Sequence, residues 1–187
     1  MRDGTATRER IERVAMGLFV TQGVSETTIR DIAQGAGIAE GALYRHYRGK
    51  DELILELFQR HYAAFARRLQ ALQAACPHSR DKLAAMVEEC CRVFDADPVL
   101  FRFLLLVQHH SLRRTEGAET PVEVVRRVIA EGMARGELLK GDPDLATALI
   151  MGVILQPATF KTYGRLPGPM TPLAGRLTAA CWNVLHA

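Results

Sequence analysis

Apolar residues recur along this chain at spacings of three and four, and no stretch alternates strictly between apolar and polar. The β-branched residues are scattered among Ala, Leu, Arg and Glu at the same spacing. The pattern therefore predicts an all-α protein of about nine helices with no strand. A first helix is predicted from about Thr7 to Gln22, with Ile11, Val14, Ala15, Leu18 and Phe19 on one stripe and Gly23 as its stop. Thr28 followed by Asp31 is a variant capping box that starts a short second helix, to about Gln34. Gly35-Ala36-Gly37 ends it. A third short helix is predicted over residues 40–47, and Arg48-Gly49-Lys50 is a second break. A long fourth helix follows over about residues 51–74, with a stripe of Phe58, Tyr62, Phe65, Leu69 and Leu72.

The remaining boundaries are marked by Pro and capping residues. Pro77 closes the fourth segment, and Ser79 is expected to cap a fifth helix running to about Phe94. Asp97-Pro98 opens a sixth. Thr120-Pro121 with Glu123 opens a seventh, which Gly136 ends. Asp142-Pro143-Asp144 opens an eighth that runs to about Tyr163, with a kink expected at Pro157. Thr171-Pro172 opens the last, carrying Leu173, Leu177, Cys181, Val184 and Leu185.

Composition narrows the class. The 187 residues are 48% hydrophobic and 24% charged, an ordinary globular balance. The net charge is +3, yet residues 1–61 hold nine Lys/Arg and nine Asp/Glu, so any affinity of that part for nucleic acid must come from local placement. No uninterrupted apolar run reaches the roughly 20 residues of a membrane span. Leu145–Leu155 is too short, and Leu100–Val107 contains Arg102. Met1-Arg2-Asp3-Gly4 begins no apolar signal core, so a cytoplasmic protein without a membrane partner is expected. Cys76, Cys90, Cys91 and Cys181 form no C-x-x-C pair. His109-His110, even with Cys90 or Cys91, falls short of the four ligands of a structural metal site. No nucleophile motif or phosphate-binding Gly loop is present, so neither enzyme activity, metal nor cofactor is expected.

Residues 28–47 carry the chemistry. Two short helices joined by a tight Gly-containing turn make a helix-turn-helix, whose second helix enters the major groove of duplex DNA. Ile32, Ala33, Ala36, Ile38 and Leu43 supply its apolar contacts, and Gly37 stands where the turn needs positive φ. The stretch Thr28-Ile-Arg-Asp-Ile-Ala-Gln-Gly-Ala-Gly-Ile-Ala-Glu-Gly-Ala-Leu-Tyr-Arg-His-Tyr-Arg-Gly-Lys-Asp-Glu-Leu53 resembles the signature of the tetracycline-repressor (TetR/AcrR) family. That pattern is a Thr, Ile-Ala, Ala-Gly-Val, a Gly, Leu-Tyr, an aromatic, and a Lys before a Leu. Here these are Thr28, Ile32-Ala33, Ala36-Gly37-Ile38, Gly41, Leu43-Tyr44, Tyr47, Lys50 and Leu53. The match covers the first third of the chain. It implies a DNA-binding domain over residues 1–50 and a ligand-binding and dimerisation domain over residues 51–187.

The resemblance implies roles for single residues. Tyr44 and Lys50 are expected on backbone phosphates, and Thr28 with the start of the second helix suits an anion. Arg30, His46 and Arg48 are expected to add phosphate or base contacts. Arg45 is the candidate for reading guanine, because an arginine binds it bidentately. Glu40 is expected either to accept from a cytosine amino group or to repel phosphate, and Gly41 and Ala42 are expected to permit close approach to bases. Tyr47 is expected in the core. Two positions depart from the pattern: Ala39 replaces a frequent Ser, removing a side-chain cap, and Ala42 replaces a frequent Thr.

For the C-terminal part the resemblance implies a homodimer built through the last two long helices, with Gly152 allowing close backbone approach, and a pocket for a small apolar or amphipathic effector. Met86, Cys90, Phe94, Phe101, Met133, Met151 and Phe160 are the candidate apolar lining. Gln108, His109, Gln156 and Tyr163 are candidates for orienting the ligand. The expected function is a repressor that binds a near-palindromic operator and is released by its effector. The alternative is a regulator of the same fold without a small-molecule ligand, acting as an activator, through a protein partner, or through thiol oxidation at Cys90 or Cys91.

Overall fold

The computed structural model describes residues 2–111 and 119–186, and among these residues every regular element is helical. The elements are α1 (Arg2–Gln22), α2 (Ile29–Gly35), α3 (Glu40–Leu43), α4 (Lys50–Gln73), α5 (Ser79–Ala96), α6 (Pro98–Ser111), α7 (Pro121–Ala134), α8 (Pro143–Thr162) and α9 (Ala174–Val184). A 3-10 turn at Thr171–Leu173 precedes the last of these. Two compact units result. The first comprises residues up to His61 together with α6 from Val99, and the second begins with Tyr62–Pro98 and includes α7, α8 and α9. The expected boundary at residue 50 differs from this division because α4 is continuous: its first half, with Leu53, Ile54, Leu57 and Phe58 buried, belongs to the first unit.

In the first unit α1 packs on α2, and α2 on α3. Ile11, Ala15 and Phe19 are buried on α1, as the stripe predicts, and meet Ile32, Ala33, Leu43 and Tyr47 in one core. Phe103 of α6 stacks on Phe19 with ring centroids 6.0 Å apart. Gly23 (φ +96°) ends α1, and Gly37 (φ +63°) makes the turn between α2 and α3. Both angles are in the left-handed region that glycine tolerates best. Gly35 is needed for a different reason: a Cβ there would come within 2.7 Å of Val14 Cγ1, so α2 lies directly against α1.

In the second unit α5 is central and packs on α7, α8 and α9. Its buried face holds Leu83, Met86, Val87, Cys90, Cys91 and Phe94. Two helix starts differ from the sequence reading. Ser79 does not cap α5. His78 holds the cap position without a side-chain bond, and the Ser79 N–H donates to the Glu137 carboxylate at 2.6 Å. The Ser79 hydroxyl is fully buried and accepts from Arg135 at 3.1 Å, so a contact distant in sequence does the capping. Likewise α9 begins at Ala174 and not at Thr171. Asp95, at the end of α5, accepts from the N–H groups of Met170 and Thr171 (2.6 and 2.8 Å) and from the Thr171 hydroxyl, and holds that segment as a 3-10 turn.

The side-chain caps read from the sequence at α7 and α8 are present. Thr120 accepts from the Glu123 N–H, and Asp142 from those of Asp144 and Leu145. The eighth helix continues through Pro157 to Thr162. By length and composition it is apolar enough to cross a membrane, contrary to the expectation that no such segment exists. The difference arises because Thr147, Gln156 and Thr159 interrupt the apolar run without adding charge, and the charged residues Asp144 and Lys161 stand near its ends.

The Glu137 carboxyl is pushed down to about 2, first by the backbone hydrogen bond from Ser79 and then by Arg135. A carboxyl held below its ordinary value stabilises the fold above that value and ceases to do so as pH falls through the lowered one. Glu137→Gln is expected to melt below the parent protein at pH 7, with the gap closing between pH 4.5 and about 2. A gap independent of pH, measured by thermal denaturation, would show that the carboxylate charge does not act here.

Candidate nucleic-acid interface

The helix-turn-helix is framed by a capping box at its start. Thr28 is in extended backbone (φ −105°, ψ 162°), and its hydroxyl accepts from the Asp31 N–H at 3.2 Å. The Asp31 carboxylate in return accepts from the Thr28 N–H (2.9 Å) and hydroxyl (2.7 Å). Those bonds from Thr28 hold the Asp31 carboxyl below its ordinary range. An internal carboxylate thus takes the place at the start of α2 where the sequence reading put an external anion. Arg30, one position before it, is exposed.

At α3 the cap position is Ala39, which makes no side-chain bond, as its methyl dictates. Glu40 and Gly41 are exposed on the first turn and Ala42 is half-buried. A Cβ at Gly41 would meet nothing within 4 Å, so its small size leaves room outside the protein and relieves no internal crowding. Tyr44 is 53% exposed, and Arg45 beside it is exposed as well. His46 is half-buried. The Arg48 side chain is 94% exposed, with its Nε 3.9 Å from Glu52. These residues follow one another on the short turn after α3, with hydroxyl and cationic donors facing solvent.

Tyr47 points the other way and is 1% exposed, as expected of a core residue. Its hydroxyl donates to Glu12 Oε1 at 2.6 Å. Glu12, on α1 and only 6% exposed, also accepts from Arg8 Nε (3.1 Å) and from Arg60 on α4 (2.9 Å). Arg8 lies over the Tyr47 ring, 5.4 Å from its centroid, and pairs with Glu56. Burial pushes the Glu12 carboxyl up, but the bonds from Arg60, Tyr47 and Arg8 outweigh it and leave the group below its ordinary range. The Tyr47 phenol is raised by burial and by its bond to Glu12. The sequence reading missed Glu12. The only signal was its place beside Ile11 on the apolar stripe, where a charge needs a partner.

Lys50 is the first residue of α4, but its ammonium is turned inward. It donates to the carbonyl oxygens of Val24 (2.7 Å), Thr27 (2.9 Å) and Ser25 (3.4 Å) in the α1–α2 connection.

The candidate pocket residues are scattered. Met86, Cys90 and Phe94 are buried at spacing four along α5, and Met133 and Met151 are half-buried in the same unit. Phe101, buried, and Gln108, half-buried, belong to the first unit. Gln156 and Phe160 on α8 and Tyr163 just after it are exposed, so they line no interior of the single chain. The His109 side chain falls outside the described residues. Burial pushes the Cys90 thiol up to about 12 and the Cys91 thiol up to about 11. Thiols so buried and so protonated at neutral pH are poor targets for oxidants, which argues against redox control through either.

Glu12→Gln is expected to destabilise the protein by about 2–3 kcal/mol, less than the roughly 3–5 kcal/mol of a fully buried pair because both arginines are partly solvated. Chemical denaturation measures it. A loss under about 0.5 kcal/mol, the range of an ordinary surface substitution, would show the cluster to be ornamental.

A family model described as bacterial regulatory proteins, tetR family, matches residues 11–57, from the middle of α1 to the first turns of α4. The HTH-type transcriptional regulator AcrR of Shigella flexneri is 43% identical over 53 residues, 28% of this chain and 25% of that protein. The matched segment therefore spans about a quarter of that relative's length. The fatty acid metabolism regulator protein of Bacillus subtilis is 22% identical over 151 residues, 78% of each chain. A crystal structure of the transcriptional regulator FadR from Bacillus subtilis in complex with stearoyl-CoA shares the fold. Its TM-score is 0.77 at 20% identity, over 95% of this chain and 99% of that one. The helix-turn-helix segment, residues 11–57, thus matches the tetR family of bacterial regulatory proteins in sequence, and the chain as a whole shares the fold of the FadR structure.

Proposed function

We propose that this protein is a transcriptional repressor that binds a near-palindromic DNA operator as a homodimer and is released by a small amphipathic effector. The observation that carries the reading is the exposed run Tyr44, Arg45 and Arg48 immediately after the short helix α3. Neither Tyr44 nor Arg45 has a side-chain partner among the described residues, so their donors are free. The Tyr44 hydroxyl suits a backbone phosphate and fixes register. The Arg45 guanidinium suits the O6 and N7 of guanine. Arg30, His46 and Arg48 add phosphate contacts. Glu40 accepts from a cytosine amino group, and Gly41 and Ala42 leave room for bases.

Dimerisation is supported by the outer face of α8. Leu145, Leu149, Gly152, Gln156, Phe160 and Tyr163 are all exposed, and their spacings of four, three, four, four and three place them on one stripe. Gly175, Ala179 and Asn183 make an exposed row of short side chains on α9, which packs beside α8. An exposed apolar stripe of this length is the mark of a partner surface, and a second copy gives the two recognition helices that one palindromic site needs. It also accounts for an apolar helix that the single chain leaves largely uncovered.

For the effector, the relative crystallised with stearoyl-CoA suggests a long-chain acyl thioester. Met86, Cys90, Phe94, Met133 and Met151 give the second unit a soft apolar interior suited to an acyl chain. Release requires that the effector bind the DNA-free arrangement more tightly than the DNA-bound one. The continuous helix α4, from Lys50 to Gln73, is the element through which the two would differ.

Fluorescence anisotropy with fragments upstream of the protein's own coding region tests the reading. Selective binding is expected. Arg45→Ala should cost roughly 1–3 kcal/mol and relax specificity at one base pair. Tyr44→Ala should weaken all sites alike, and a long-chain acyl-CoA should displace the operator. Absence of selective binding by the unliganded dimer would sink the repressor reading. Indifference to acyl-CoA would sink the effector assignment. For the dimer, Leu149→Glu is expected to give monomers in sedimentation velocity, and a variant that remains dimeric would place the interface elsewhere.

A further inference from the structure

We propose that Lys50 serves DNA binding as a positioning residue: its ammonium clamps the α1–α2 connection, and through it the start of α2, in place of neutralising a phosphate. The inference rests on the DNA-binding reading above, but the clamp itself is measurable without DNA. An ammonium has three donors, and Lys50 has three acceptors, the carbonyl oxygens of Val24, Thr27 and Ser25 at 2.7, 2.9 and 3.4 Å. The connection they belong to is itself tightly built. Gly23 has positive φ, and its carbonyl accepts from the Thr27 hydroxyl at 2.8 Å. Thr27 is fully buried. Four of the five carbonyls of residues 23–27, those of Gly23, Val24, Ser25 and Thr27, are thus held by two side chains.

The next residue, Thr28, caps α2 through its exchange of bonds with Asp31. Lys50 therefore reaches the recognition unit by a short path: ammonium, Thr27 carbonyl, Thr28 cap, α2, turn, α3. Its own location adds to the case. At the first position of α4 a cation opposes the helix dipole, which favours the acids Asp51 and Glu52 found in that turn. The carbonyls offset this, and a phosphate reached by Lys50 would have to replace all three. Arg48, two residues earlier and almost wholly exposed, stands ready for the phosphate instead.

Lys50→Met and Lys50→Arg separate the roles, because a planar guanidinium fork cannot converge on three carbonyls at one point but serves a phosphate as well as an ammonium does. Measured on folded protein well below its melting temperature, both variants are expected to weaken operator binding tenfold or more. The slope of log K against log salt should not change, and amide hydrogen exchange at residues 24–28 should accelerate. Arg48→Ala should instead lower that slope by about one. Retained affinity in Lys50→Arg with a slope lowered by about one in Lys50→Met would make Lys50 a phosphate ligand and overturn the proposal. So would undiminished affinity of the folded variants, which would leave Lys50 a stability residue only. If no DNA is bound by the parent protein, the DNA reading fails, and unchanged exchange at 24–28 in the variants would separately refute the clamp. Should the variants not fold, the parent protein decides. Lys50 is one of four lysines, so its side-chain 15N signal can be followed. A signal unmoved by operator DNA supports the clamp, and one shifted by the phosphate overturns it.

Discussion

Glu12 is a carboxylate placed on the buried face of α1, where an unpaired charge would cost several kcal/mol. The first unit is arranged around meeting that demand. Tyr47, from the turn after α3, donates its hydroxyl; Arg8 donates from one turn before on α1; Arg60 donates from α4. One side chain therefore ties together three parts of the domain that are distant in sequence, and it does so with directional bonds. Apolar contacts such as Phe19 of α1 against Phe103 of α6 also hold the unit together but tolerate sliding. The charged cluster fixes how α1 and α4 meet the turn that presents Tyr44 and Arg45.

The surface that results has an economy of charge. The first 61 residues are neutral overall, and three of their nine acids are engaged within the domain: Glu12 by Arg8, Arg60 and Tyr47, Asp31 by Thr28, Glu56 by Arg8. Arg45 is left without an internal partner and Arg48 extends into solvent, so the exposed turn after α3 is locally cationic although the domain is not. Lys50 shows the converse, a cation beside that turn drawn inward by backbone carbonyls. Local placement, not net charge, makes this surface suited to DNA.

The second unit divides its apolar residues between two purposes. Ile150, Ile154 and Ala158 of α8 are buried among α7, α5 and α9, while Leu145, Leu149, Phe160 and Tyr163 are left on the outside. A helix apolar on both faces, with caps at Asp142 and few charges, passes the compositional test for a membrane span. One face is covered by the internal core, and the other is the face proposed above for a second copy of the chain. The polar atoms on the exposed stripe, Gln156 and the Tyr163 hydroxyl, belong with that outer surface and not with an internal ligand.

Much of this architecture was legible in the chain itself. Periodicity located the nine α-helices of the described residues, because a spacing of three and four is a direct consequence of 3.6 residues per turn. Thr28 with Asp31, Thr120 with Glu123, and Asp142 before Pro143 marked helix starts, because a cap is a contact between near neighbours. Gly23 and Gly37 marked turns because glycine tolerates positive φ, and the order of Thr28 to Leu53 carried the resemblance to the TetR/AcrR signature. What tertiary structure decided were contacts between residues far apart: Glu137 capping α5, Asp95 shaping the start of α9, Glu12 joining Arg60, and Lys50 turning inward to Val24 and Thr27. Which face of α8 is covered, and hence where Gln156, Phe160 and Tyr163 lie, was likewise settled by packing. Local rules fix the backbone of each segment. The partners of a long side chain depend on which other segments folding brings within its reach.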